Sequence, residues 1–292
     1  MAEDTATLRR FNRTYTQRVG ALDDSFLGIG WPLGASRLIF EIGESATTVR
    51  ELRERLDLDS GYLSRLLRRL TRAGVVDVHP DPADRRRRLV TLTAEGRDVR
   101  RELDLRSEQR AASLLAPLTD RQRSRLTEAL ATADLLVRAA TVHLRTVPPN
   151  DPIAVAAVGR YFAELDRRFP SGFDPGNAAD SDAAAMSGDA GVFVVATSDG
   201  EPVACGGVQA IAPRTGEIKR MWVHPDWRGA GLGSRMLRHL EDCARDLGHR
   251  RVHLDTNGTL VEAIAMYGKA GYQPVERYND NPYAQAWFAK EL

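Results

Sequence analysis

The stretch of this sequence whose residue types and spacing point most directly to chemistry is Val223-His224-Pro225-Asp226-Trp227-Arg228-Gly229-Ala230-Gly231-Leu232-Gly233-Ser234. The residues before it, Glu217-Ile218-Lys219-Arg220-Met221-Trp222-Val223, read as a strand. After it Met236, Leu237, Leu240, Ala244 and Leu247 recur at helical spacing, and Gly248 closes the run. A strand, a glycine-rich turn and a helix start in that order form an anion cradle. Glycines let the backbone come close to the ligand, and the free N–H groups and dipole of the helix start favour negative charge.

Several turns could supply such a cradle. Gly229-x-Gly231-x-x-Ser234, with Asp255 about twenty residues further on, imitates a dinucleotide-binding turn. The third glycine is a serine, however, and residues 223–228 separate strand from glycines where a dinucleotide turn is immediate. A plain surface turn would also accept these glycines. The spacing Arg228-x-x-Gly231-x-Gly233 resembles the pyrophosphate loop of the GCN5-related N-acetyltransferases (GNAT). A second stretch, Ala263-Ile264-Ala265-Met266-Tyr267-Gly268-Lys269-Ala270-Gly271-Tyr272, resembles the same family independently. The resemblance implies acetyl-coenzyme A (acetyl-CoA) as co-substrate, a Tyr267 that reaches its sulfur, and a new strand from Gly271-Tyr272. The sequence departs from the family at Leu260, where an asparagine is common, so one coenzyme contact is either missing or supplied by Asn257.

Acyl transfer to an amine requires a deprotonated nitrogen, a polarised carbonyl and a protonated leaving thiol. On this resemblance the backbone of Met221, Trp222 and Val223 polarises the carbonyl. The N–H groups of Gly229, Ala230, Gly231, Leu232, Gly233 and Ser234 hold the pyrophosphate, and Arg228 adds charge. Tyr267 is the candidate general acid, with a tyrosine merely packed on the sheet as the alternative. Glu217 matches the family's base position, with a solvated strand-end carboxylate or a water as the alternative. By period-two alternation Lys219 shares a face with Glu217, and Arg220 lies on the other. Lys219 would hold an acceptor carboxylate or pair with Glu217. Phe169, Phe173 and Asp174 fall where the family covers its acceptor site, and Asn281 and Tyr283 lie in a polar, aromatic loop, so these are candidate substrate contacts; ordinary surface loops are the alternative.

The elements that must position these residues form a mixed α/β order. Val142–Val147 reads as a linker or, by its resemblance to the acetyltransferase pattern, as a first strand, and Ala154–Phe169 as a helix. Residues 177–190 are small and polar and are expected to be mobile. Val192–Thr197 and Pro202–Gln209 make a hairpin turning at Asp199-Gly200. Arg251–Thr256, a helix over Leu260–Lys269, Gly271–Val275 and Ala284–Ala289 complete the sheet.

The first half reads differently. Thr47 or Thr48 caps Val49–Leu56, with Glu51 placed for a capping box. Asp59 or Ser60 caps a helix over Gly61–Ala73 with a stripe of Leu63, Leu66, Leu67 and Leu70. Two short helices joined by a tight turn describe a helix-turn-helix. Val75–His79 and Arg88–Thr93 are strands around a charged tip, Pro80 to Arg87. Arg72-Ala73-Gly74-Val75-Val76, Asp81-x-x-Asp84-Arg85-Arg86 and Leu92-Thr93-x-x-Gly96 resemble the MarR family of bacterial regulators. In a winged helix-turn-helix, Ser60, Gly61, Tyr62, Ser64 and Arg65 would meet base edges and Arg68 phosphates, while Arg85, Arg86 and Arg87 would enter a minor groove. A winged helix that only makes protein contacts is the alternative. Helices over 5–20, 94–110 and 119–140 are expected to pack into the family's two-fold dimer.

Composition is compatible with this division. The chain has 292 residues, enough for two domains, and its net charge of +1 hides a basic first half. Residues 1–140 carry 25 Arg against 21 acids; Lys occurs only at 219, 269 and 290. A GC-rich coding sequence would explain the Arg bias equally well. Two cysteines, Cys205 and Cys243, and six scattered histidines give no metal spacing. No apolar run is long enough to span a membrane and no signal pattern opens the chain, so a cytoplasmic protein is expected. The expectation is a MarR-like DNA-binding and dimerisation domain over 1–140 and a GNAT domain over 141–292. It would act on double-stranded DNA, acetyl-CoA and a small amine or protein lysine, or only sense the coenzyme or an amine.

Overall fold

The structure, a computed structural model, describes residues 2–176, 178–198 and 200–292. Asn177 of the small polar stretch and Asp199 of the expected turn lie outside the described residues. The chain separates into two compact units, Met1–Leu126 and Thr127–Leu292.

The first unit contains α1 (Ala2–Arg18), α2 (Leu33–Ile42), β1 (Thr47–Thr48), α3 (Val49–Leu56), α4 (Ser60–Arg72), β2 (Val76–Pro80), β3 (Arg88–Leu92), α5 (Ala94–Leu115) and the start of α6 (Asp120–Thr141). The expected cap at Thr48 is a full capping box: Glu51 N–H donates to Thr48 Oγ1 at 3.1 Å and Thr48 N–H to Glu51 Oε2 at 2.8 Å. Asp59 caps α4 by accepting from Tyr62 N–H at 3.0 Å. The leucine stripe of α4 is buried against Leu38, Ile39 and Leu52. The strands order β1-β3-β2, and β2 and β3 form the wing. Gly96 lies so close to Val75 that a Cβ would stand 2.0 Å from its carbonyl oxygen. That contact explains the glycine after Leu92-Thr93. Helix α5 runs past the expected Arg110 to Leu115, because no breaker occurs before Pro117.

The second unit holds the last turns of α6, then β4 (Leu144–Thr146), α7 (Pro152–Arg168), α8 (Ala178–Ala185), β5 (Gly191–Ser198), β6 (Glu201–Ala212), β7 (Thr215–Val223), α9 (Leu232–Asp246), β8 (Arg251–Thr256), α10 (Val261–Lys269), β9 (Gln273–Pro274) and β10 (Ala286–Glu291). Residue 140, near which the boundary is expected, falls in the last turn of α6 and inside the second unit, whose core includes Ala139 and Val142. Arg235 donates to the Ala139 carbonyl at 2.9 Å, and Arg138 lies over the Trp227 ring at 4.5 Å. The sheet order is β4-β5-β6-β7-β8-β10-β9, antiparallel except for β7 and β8.

The stretch 178–190 holds α8, followed by Met186, which is 1% exposed and packs with Phe193 and Trp222. One expectation is corrected. The strand expected over Gly271–Val275 is shorter, with Gln273 and Pro274 in register with β10 and Val275 N–H donating to the Trp287 carbonyl at 2.9 Å.

Candidate functional site

The site is built on the parting of β7 and β8. Their parallel pairing covers Thr215↔Arg251 to Glu217↔His253 and ends there, although β7 continues to Val223 and β8 to Thr256. The strands splay and open a cleft at their carboxyl ends. A β-bulge sharpens the opening: between Cys205↔Trp222 and Gly207↔Lys219 the register shifts, and Arg220 takes φ 53°. A bulge bends its strand and re-aims its side chains. Lys219 and Arg220 therefore do not lie on opposite faces as alternation predicts. Lys219 Nζ is 3.5 Å from Asp182 Oδ1, and Arg220 donates to Asp182 Oδ2 at 2.9 Å.

One cleft, of about 380 Å³, lies between α7, β7 and the starts of α9 and α10. Gly229, Gly231, Gly233, Ser234 and Arg228 line it, as do Met221, Trp222 and Val223. Gly229 and Gly231 have φ 78° and 80°, a region a side chain would strain. At Gly233 a Cβ would fall 3.2 Å from Met266 Sδ, a tight contact that the flexible methionine can relieve. The N–H groups of the first turn of α9 have no partner within the helix, so the cradle fits a pyrophosphate. Of the expected contacts, Leu232 belongs to the core, and Ala230 is not in the lining.

Arg228 is already engaged. It donates to the Val223 carbonyl and forms an ion pair with Glu164, which is 6% exposed and also accepts from Trp222 Nε1 at 2.8 Å. Arg168 adds a second cation, 2.5 Å from Glu262. Burial pushes the Glu164 carboxyl up, but the donors Arg228, Trp222 and Arg168 outweigh it and hold the group below the ordinary carboxylate range. Sequence reasoning missed Glu164 and Arg168, because nothing in a regular helix marks which charges face a loop.

A second cavity, of about 610 Å³, meets the first at Met221 and Tyr267. All six candidate substrate contacts line it: Phe169, Phe173, Asp174, Lys219, Asn281 and Tyr283. Phe173 and Tyr283 rings stand 4.7 Å apart, and Phe169 lies 5.8 Å from Tyr283. Asn257 lines this cavity and not the first cleft. Its amide donates to the Tyr283 carbonyl, and its oxygen accepts from Thr259, so it shapes the loop.

Tyr267 is buried where the cavities join. Burial, reinforced by the nearby Asp255 charge, pushes its phenol well above the ordinary value, so it holds its proton at neutral pH. A protonated phenol at that junction suits a leaving thiolate. Glu217 sits beneath the second cavity and outside its lining. It is 3% exposed and accepts from Tyr278 OH at 2.8 Å, Asn279 at 3.1 Å and Gln209 at 2.8 Å. Asn279 bridges it to Asp255, donating to Asp255 Oδ2 at 2.5 Å. Asp255 itself lines the cavity.

In the first unit the expected DNA contacts are all exposed. Ser60, Gly61, Tyr62, Ser64, Arg65 and Arg68 are exposed on α4, opposite its leucines. The wing tip is shaped by its aspartates: Asp81 accepts from Ala83 N–H at 2.8 Å and Asp84 from Arg86 N–H at 3.0 Å. This leaves Arg85, Arg86 and Arg87 exposed. Arg69 lies over the Trp31 ring at 5.4 Å.

These features define a winged helix-turn-helix unit followed by a mixed-sheet unit of acyltransferase type. Residues 28–87 match the model of the MarR family and residues 160–272 that of the acetyltransferase (GNAT) family. The chain thus carries a MarR-family region and a GNAT-family region. Over 97 residues it is 39% identical to an IAA acetyltransferase from Azospirillum brasilense, covering 31% of this chain and 61% of that protein. An uncharacterized N-acetyltransferase, YjgM, from Escherichia coli is 35% identical over 90 residues, 29% of this chain and 52% of that protein. The matches thus span between half and two thirds of these relatives. The PcaV transcriptional regulator from Streptomyces coelicolor is similar at 23% identity and TM-score 0.38, over 45% of this chain and 94% of that one. Among the described residues no helix is long and apolar enough to cross a membrane.

Proposed function

We propose that the chain is bifunctional: residues 1–140 bind double-stranded DNA as a homodimeric transcriptional regulator, and residues 141–292 transfer an acetyl group from acetyl-CoA directly to an amine. The observation that carries the enzymatic half is the meeting of two cavities at Met221 and Tyr267, one with an anion cradle and one with polar and aromatic walls. In this reading Arg228 and the α9 N–H groups hold the pyrophosphate, and the coenzyme supplies the activated acyl group. The backbone at Met221 polarises the carbonyl, and Tyr267 protonates the departing sulfur. The DNA-binding half is supported by the exposed α4 face and the arginine wing tip. Exposed Leu8, Phe11 and Tyr15 on α1 support a partner copy there.

The test is thiol release from acetyl-CoA across a panel of small amines and lysine peptides, alongside binding of the purified chain to its own upstream DNA. Release with at least one amine supports catalysis.

A second reading is a non-catalytic sensor of acetyl-CoA or an amine. It is favoured by the enclosure of Glu217, the expected base, beneath Tyr278 and Asn279. Coenzyme binding that alters DNA affinity without any thiol release would decide for it.

A further inference from the structure

The second cavity carries charge information that its family match does not supply. Four carboxylates line it, Asp174, Asp182, Asp255 and Asp280, against two cations, Lys219 and Arg220. Both cations share Asp182, and Lys219 Nζ also lies 3.7 Å from Glu217 Oε2. Asp280 pairs with Arg277 at 3.0 Å. Asp174 and Asp255 carry no cation among the described residues, but Asp174 is exposed and accepts from the Gly176 N–H at 2.9 Å. Asp255 is half-buried, and neutral amides hold it, Asn279 at 2.5 Å and Asn281 at 3.2 Å to each oxygen.

Its position is equally specific. Asp255 lies two residues beyond the last β7–β8 pair, Glu217↔His253, so it stands on the splayed wall of the cavity that Tyr267 closes. Trp287, opposite it on β10, donates Nε1–H to Asn279 Oδ1 at 3.0 Å and so fixes the amide that orients the carboxylate. Away from Asp255 the walls are aromatic: Phe169, Phe173, Tyr283 and Tyr161. An uncompensated carboxylate beside an aromatic chamber selects a cation on an apolar body.

We propose that Asp255 receives the acceptor's ammonium and takes its proton, and that the acceptor is a primary amine on an aromatic body without a carboxylate. This rests on the acyl-transfer reading of the same site. The ammonium loses one proton to Asp255 and from there to water. The free nitrogen pair then forms the bond to the acyl carbon as the carbon–sulfur bond breaks. The nitrogen's surplus proton leaves to solvent, and the sulfur takes a proton from Tyr267, which is reprotonated from water. The balance is amide, free thiol and one released proton. A carboxylate on the acceptor would meet a wall whose cations are already neutralised by Asp182 and Glu217.

The test compares tyramine, tyrosine and 4-hydroxyphenylpropionate on the full chain, first by calorimetric binding in the presence of coenzyme A. Tyramine should bind at least tenfold more tightly than either carboxylate-bearing compound. Asp255→Asn should weaken tyramine at least tenfold while coenzyme A affinity stays within twofold. With acetyl-CoA, D255N should lower kcat/KM for tyramine about 100-fold or more. Asp255→Glu, which keeps the charge, should recover part of the rate. Tighter binding of tyrosine, an unaltered D255N, or equal losses in D255N and D255E with a lowered melting point would overturn the proposal. Tyramine binding that needs Asp255, together with no thiol release from any amine, would overturn the catalytic role and the acyl-transfer reading but leave the recognition by Asp255 standing.

Discussion

Arg228 of the glycine loop and Glu164 of α7 form an ion pair in which Nη2 donates to Oε2 at 2.6 Å, with Trp222 donating to the same carboxylate. The loop arginine is thereby fixed before any ligand arrives. The two partners should fail differently. Arg228→Ala should weaken coenzyme A about ten- to a hundredfold, the value of one or two charge-assisted hydrogen bonds. Glu164→Gln keeps an acceptor for Arg228 and Trp222, removes a negative charge from the cleft, and should lower the melting point by several degrees without weakening the coenzyme. Calorimetry and thermal unfolding of both variants check this.

The same pair predicts a pH dependence. The Glu164 carboxyl lies below its ordinary value of about 4.5 in the folded state. Its contribution to stability is therefore present above that value and is lost as pH falls through the folded one. Melting points measured from pH 7 down to pH 3 should fall less steeply for Glu164→Gln than for the unaltered chain. Parallel curves would remove Glu164 from the account.

Tyr267→Phe deletes the buried phenol with little change in packing. Thiol release should drop about 100- to 10,000-fold while coenzyme A affinity and melting point hold. Because burial raises the Tyr267 phenol, no basic limb from its ionisation should be seen between pH 7 and 9. Unchanged turnover would assign the tyrosine to packing alone.

Gly231 and Gly233 both line the cleft, for different reasons. Gly231→Ala meets the left-handed φ of 80° and should cost about 1–2 kcal/mol, with loss of coenzyme affinity as the loop relaxes. Gly233→Ala meets only the end of the flexible Met266 side chain and should cost less. Coenzyme affinities in the reverse order would contradict this geometry.

Replacing Arg85, Arg86 and Arg87 by alanine should weaken DNA binding and reduce its salt dependence by close to one phosphate per arginine that engages DNA. All three are exposed and the tip is shaped by Asp81 and Asp84, so the melting point should hardly move. Anisotropy titrations between 50 and 200 mM salt (about a fourfold range, chosen for that slope) give the answer.

Local chemistry was legible in the sequence wherever it depends on near neighbours. The Thr48–Glu51 capping box, the Asp59 cap, the leucine stripe of α4 and the glycine loop before α9 are all contacts within a few residues, and side-chain type is enough to specify them. Helix ends were less legible: α5 continued to Leu115 because propensity marks a stop only at a breaker. What the tertiary structure alone decided are relationships across long stretches of chain. The bulge at Arg220 arises from its pairing with β6 and sends two successive cations to one aspartate. Glu164 meets Arg228, Asn279 joins Glu217 to Asp255, and Met186 seats a segment whose composition reads as loose. Asp255 carries no motif; only the splaying of β8 from β7 turns an ordinary strand-end carboxylate into the wall of a cavity. Sequence periodicity places a side chain on a face, but which faces meet is fixed by sheet order and by where pairing stops.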